Sequence, residues 1–110
     1  MNQAHKKNLE EIESLYDELN TYLESCIVGA EQEELYQKCD QLAEKLAAYD
    51  MAIIASNSKI VEQSIPELEA ILITVKDAKA SVRNDLNTLN NMTGVARSLD
   101  KVLDTLNKLV

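Results

Sequence analysis

Leu9-Glu10-Glu11-Ile12-Glu13-Ser14-Leu15-Tyr16-Asp17-Glu18-Leu19-Asn20-Thr21-Tyr22-Leu23-Glu24-Ser25-Cys26 sets apolar side chains at Leu9, Ile12, Tyr16, Leu19, Leu23 and Cys26. The steps between them are 3, 4, 3, 4 and 3. That alternation keeps successive side chains on one side of a helix of 3.6 residues per turn, so the stretch predicts an amphipathic helix over residues 3–28. Leu15, Tyr22 and Ile27 widen the stripe toward a face that meets two neighbours. Gly29 is the first glycine in the chain. It reads as a helix stop, because glycine accepts a positive φ without steric cost.

Moving outward, Leu35, Cys39, Leu42, Leu46, Tyr49, Ile53 and Ile60 give a second seam, and Glu31, Glu33 and Glu34 crowd its start. Carboxylates there favour the positive end of the helix dipole. Ala43, Ala47 and Ala48 beside this seam are small enough for close approach of a neighbour. Ser56-Asn57-Ser58 has low helix propensity, but Ile60 and Val61 keep the period, so this helix is expected to run to about residue 62. Ser64-Ile65-Pro66-Glu67 then fits a helix start, with Ser64 as N-cap, Pro66 in the first turn and Glu67 three positions on. A third seam follows at Ile65, Leu68, Leu72, Val75, Val82, Leu86 and Leu89, with Lys79 where the next apolar residue is due. Lys79 reads first as a side chain whose stem lies along the core, and second as a polar residue fixing register. Asn84, Asn87, Asn90 and Asn91, with Thr93 and Gly94, predict a break, after which residues 95–110 resume as a short helix.

The expected fold is therefore all-α: an up-down antiparallel helical bundle of three long helices plus a short C-terminal helix, with coiled-coil-like seams, in a single domain over 1–110. Composition agrees. Apolar residues are 45% of the chain, yet Phe and Trp are absent and Gly and Pro together number three. The core must be aliphatic, and a multi-stranded sheet would lack its turn residues. Spacing of this kind is shared by many unrelated bundles and coiled coils, so it singles out no family.

Net charge is −8, and residues 1–63 hold all of it. An acidic chain is a poor match for nucleic acid or an anionic membrane, both of which call for Lys and Arg. No apolar run approaches the ~20 residues of a spanning helix. Met1–Glu11 has no apolar signal region, so a cytoplasmic location is expected, and the Asn91-Met92-Thr93 sequon reads as chance. Cys26 and Cys39 are expected as buried, reduced thiols.

Catalytic patterns are weak. His5 is the only histidine, in a polar N-terminal turn expected to fray. The paired acids, such as Glu10 with Glu13 and Glu31 with Glu34, lack the Glu-x-x-His spacing of helical di-metal sites. Gly29 and Gly94 stand alone, so no phosphate-binding loop is present. The serines have no nucleophile-elbow context. The expectation is a non-enzymatic chain with no cofactor and no bound metal.

What remains is surface. Tyr16, Tyr22, Tyr36 and Tyr49 all fall in the first two helices; they read as core or half-buried packing, or else as an aromatic binding patch. The C-terminal stretch Val95, Leu99, Val102, Leu103, Leu106 and Leu109 is the candidate partner or self-association face, against the simpler reading of a fourth helix closing the bundle. The function expected is a helical protein–protein interaction module, self-associating as a homodimer. The alternative is a small acidic inhibitor or chaperone, of the immunity, antitoxin or secretion-chaperone type, bound to a basic protein partner.

Overall fold

The computed structural model describes residues 3–25, 29–55, 60, 62–86, 88 and 91–109. They form four α-helices: α1 (Gln3–Glu24), α2 (Ala30–Ile54), α3 (Ile65–Asp85) and α4 (Met92–Leu109). The all-α bundle of the sequence reading is what forms. Its helix ends differ in informative ways. Helix α2 closes at Ile54, with the Ala55 N–H on the Met51 carbonyl at 2.9 Å, rather than near residue 62. Residues 26–28 and 56–59, which include Cys26 and Ser56-Asn57-Ser58, lie outside the described residues. Gly29 has a φ of −178° and precedes α2 in extended backbone, so it is the residue before a helix start and not a left-handed stop.

The two other starts are set by side-chain caps. The Ser64 hydroxyl accepts the Glu67 N–H at 3.3 Å, with Pro66 in the first turn, as its sequence predicts. The asparagine cluster resolves into a second cap. Asn91 Oδ1 accepts the Gly94 N–H at 3.2 Å, so α4 begins at Met92 and runs 18 residues. Such caps satisfy amide groups that the first turn leaves without a carbonyl. The fourth helix is thus nearly as long as the 21-residue α3 and not a short appendage.

Chain direction alternates along the sequence, but sequence neighbours are not always neighbours in the bundle. Helix α1 packs on α2 and α3, and α4 packs on α2 and α3. The ring order is α1, α2, α4, α3, and the α2–α3 connection crosses a diagonal. Helices α1 and α3 therefore run parallel side by side, as do α2 and α4. Ion pairs stitch both parallel contacts. Lys79 on α3 meets Glu11 at 3.0 Å and Glu18 at 3.8 Å, and Arg83 Nε donates to Glu18 at 2.5 Å. Lys38 on α2 donates to Asp100 on α4 at 2.5 Å, a bond that raises the Lys38 pKa above its ordinary value.

One aliphatic core fills the ring. Ile12, Leu15, Leu19, Leu42, Leu68, Val75, Leu99 and Leu106 are each fully or almost fully buried. Burial at ~25 cal/mol per Å2 of apolar surface is the main stabilising term. Lys79 does not occupy the α3 seam: Ala78 does, 1% exposed, and Lys79 stands at the seam's edge, where its ammonium reaches α1. Cys39 is a buried free thiol whose Sγ–H points at Asn20 Oδ1, 3.7 Å away.

Candidate interaction surface

The ring order arranges the chain in two layers, the α1–α2 hairpin and the α3–α4 hairpin. Charge follows the layers. Helices α1 and α2 contain twelve acids and four bases, while α3 and α4 contain six of each. The whole net charge of the chain is thus gathered on one side of the molecule. An acidic half of the sequence has become an acidic face, with a nearly neutral face behind it.

The outer seams of the two layers differ in chemistry as well. Between α3 and α4 the surface is lined by Thr74, Asp77, Ala78, Ser98, Lys101, Asp104 and Thr105. Ser81 and Ser98 hydrogen-bond across these helices at 2.9 Å. Between α1 and α2 a shallow groove of about 410 Å3 is lined by Leu9, Glu13, Tyr16, Ala43, Leu46, Ala47 and Asp50. Leu9, Tyr16 and Leu46 are half-buried against the core and turn the rest of their surface to this groove. Along the α2 wall, Tyr36, Ala43, Ala47 and Ile54 recur at steps of 7, 4 and 7 and so form one stripe.

Among the described residues, three of the four large exposed apolar side chains belong to α2: Tyr36 at 45%, Met51 at 70% and Ile54 at 74%, with Ile73 of α3 at 59%. A lone exposed apolar residue needs no explanation, but a continuous patch rimmed by charge is the usual mark of an interaction site.

The face singled out from the sequence is elsewhere. Val95, Leu99, Val102, Leu103, Leu106 and Leu109 are all between 0 and 5% exposed, packed inward from α4. Their periodicity was the periodicity of a core stripe; they close the bundle within one chain and are not an exposed partner face. The tyrosines divide. Tyr22 and Tyr49 are fully buried, whereas Tyr36 is exposed and Tyr16 lies in the α1–α2 groove.

His5 is a further correction. It is 4% exposed and anchored, not frayed. Its Nδ1 lies 2.6 Å from the Tyr49 hydroxyl and its Nε2 3.1 Å from the Ile60 carbonyl. Asn8 Nδ2 donates to the Tyr49 oxygen at 3.4 Å and to the Leu68 carbonyl at 3.3 Å. The Ile60 carbonyl can only accept, so Nε2 carries the proton. In that tautomer Nδ1 accepts the Tyr49 O–H, and the Tyr49 oxygen accepts the Asn8 N–H. Burial raises the Tyr49 phenol above its ordinary pKa, and the Asn8 hydrogen bond pulls the other way. This arrangement locks α1, α2 and the start of α3 together.

Among the described residues no group of three His, Cys, Asp or Glu side chains could hold a metal ion, and no helix is long and apolar enough to cross a membrane. Comparison with protein-family models, with curated proteins and with solved structures gave no match.

Proposed function

We propose that this chain is a non-enzymatic helical protein–protein interaction module that works by presenting the outer face of its α1–α2 hairpin to a protein partner. The observation carrying the proposal is the coincidence, on one face, of the exposed Tyr36, Met51 and Ile54 with the chain's whole charge imbalance. A different protein is favoured over a second copy of the chain. In a two-fold dimer the same patch meets itself. Here that would set two hairpins, each of net charge −8, against each other, and like charges across an interface disfavour the pairing. The α4 residues that suggested self-association are occupied within the bundle.

The test is photo-crosslinking in the native cell, with the crosslinking side chain placed at exposed positions on each of the four helices in turn. A discrete adduct with another protein from at least one helix supports an interaction module. Absence of an adduct from every helix overturns it. Light scattering at low and high salt complements this experiment. A monomer at both is expected, and a dimer that survives high salt would restore self-association as the leading function.

A further inference from the structure

We infer that the α1–α2 groove is a docking site for one amphipathic α-helix of a partner protein, with an apolar ridge seated on Leu9, Tyr16, Leu46 and Ala47 and with Lys or Arg along both flanks. The inference rests on the interaction-module reading and gives its partner a chemistry. Length is the first argument. The α2 stripe from Tyr36 to Ile54 spans 18 residues, about 27 Å at 1.5 Å per residue, which is the length of five turns of a guest helix. Shape is the second. Ala43 and Ala47 leave the α2 wall low, and Leu9 and Tyr16 form the opposite wall, so the trough lies between two nearly antiparallel rods. An amphipathic helix binds such a trough through apolar anchors at i, i+3, i+4 and i+7.

Charge selects the guest. The charged residues lining the trough are Glu13 on α1 and Asp50 on α2; on the same side of α1 the exposed Asp17 adds a carboxylate and the exposed Lys6 an ammonium near one end. The lysines of α2 lie off this side: Lys38 is turned to Asp100 of α4. A helix with acidic flanks, or a second copy of this face, would bring like charges together. A basic flank on each side of the ridge meets a carboxylate on each wall, Glu13 on one and Asp50 on the other, which speeds encounter and fixes orientation. The α3–α4 seam is a poorer match for a basic guest, because each of its grooves carries a lysine, Lys101 beside Asp77 and Asp104 in one and Lys108 beside Glu67 in the other.

The probes are three model peptides of about 18 residues, long enough to span the stripe. The first is a Lys/Leu/Ala helix with its leucines on one face. The second is the same composition scrambled so that no face forms. The third is the first with Glu in place of Lys. Binding to the full chain is followed by fluorescence anisotropy. The amphipathic Lys peptide is expected to bind at least roughly tenfold more tightly than the scrambled one, a difference of about 1.4 kcal/mol, and the Glu peptide not to bind. Ala47→Arg, at an exposed position in the groove, should abolish that preference, while Ile73→Arg on α3 should leave it unchanged. Equal binding of the amphipathic and scrambled peptides would mean that charge alone is read, and would overturn the proposal. So would insensitivity to Ala47→Arg, or a chain dimer that this substitution dissolves. The outcome is separable from that of the module reading: cellular crosslinks confined to α3 and α4 would leave the module standing and remove the groove.

Discussion

The two ends of this bundle solve one packing problem with different chemistry. Each end holds a fully buried tyrosine from the acidic hairpin, and each hydroxyl must find a partner inside the protein. At one end Tyr22 of α1 donates to Asp85 Oδ2 at 2.5 Å, and Asp85 Oδ1 accepts the Thr88 hydroxyl at 2.9 Å and the Asn91 N–H at 2.8 Å. At the other end Tyr49 of α2 meets His5 and Asn8. The Asp85 end gathers three donors, one from α1 and two from the α3–α4 connection, onto one carboxylate that is itself 3% exposed. The Tyr49 end is a relay: Asn8 donates to Tyr49, Tyr49 to His5, and His5 to the Ile60 carbonyl. A hub of this kind fails wholly when its acceptor is removed, whereas a relay loses one link at a time.

The largest expected effect follows from that contrast. Asp85→Ala leaves the Tyr22 hydroxyl, the Thr88 hydroxyl and the Asn91 N–H without their acceptor, and it loosens the start of α4 by releasing Asn91. The cost should be about 3 kcal/mol, since each buried donor left unpaired costs ~1–3 kcal/mol and Thr88 recovers water. Urea unfolding measures it. A loss below about 1 kcal/mol would mean that the hub is not a structural centre.

The paired removal of the two hydroxyls sharpens the comparison. Tyr22→Phe takes a donor from a carboxylate, and hydrogen bonds to charged groups contribute ~1.5–3 kcal/mol. Tyr49→Phe removes bonds to an imidazole and an amide, of a neutral class worth ~0.5–1.5 kcal/mol each, and His5 keeps its bond to Ile60. Tyr22→Phe should therefore destabilise by about 2 kcal/mol and Tyr49→Phe by about 1 kcal/mol. The reverse order, in the same denaturant series, would break the distinction between hub and relay.

Neither end was legible from the sequence, and the reason lies in how the seams were centred. On α1 the apolar set Leu9, Ile12, Tyr16, Leu19 and Leu23 has helical spacing, but so does the buried set Asn8, Ile12, Leu15, Leu19 and Tyr22, with His5 one step earlier. The apolar stripe is wider than one seam, so periodicity gives the helix without its rotation. Extending the true seam backward lands on Asn8 and His5, which polarity had assigned to solvent. The same offset recurs on α3, where Leu68, Ile71, Val75, Ala78 and Val82 lead to Asp85. The Ser64 cap was readable because its chemistry spans four residues. The Tyr22–Asp85 bond joins positions 63 apart and depends on α1 and α3 lying side by side, which no local pattern encodes. Burial of the α4 stripe was likewise undecided locally: an apolar stripe has the same spacing whether its own bundle or a partner covers it. The groove's components, Tyr16, Tyr36 and the small alanines, were visible singly, but the layer arrangement that unites them was not.

The smallest expected effect probes the relay end and the seam beside it by pH. Burial raises the Cys39 thiol from 9.0 to about 11, with the nearby Asp40 charge adding to the shift, and it raises the Tyr49 phenol above 10.0. Both groups are neutral when protonated. Between pH 9 and about 11 the unfolded chain releases a thiol proton that the folded chain still holds. The unfolded state then binds fewer protons, so rising pH favours it. The contribution of Cys39 is accordingly intact below pH 9 and is lost toward pH 11, and Tyr49 begins to add its own loss above pH 10. Denaturation midpoints at pH 8, 9.5 and 11 should fall progressively, by the equivalent of about 1 kcal/mol at pH 9.5 and by more at pH 11. Cys39→Ala should remove the part that begins at pH 9, and Tyr49→Phe the part that begins above pH 10. A midpoint flat to pH 11 in the parent chain would show that water reaches both groups. The Tyr49 relay would then be a wet end of the bundle, set against a dry hub at Asp85.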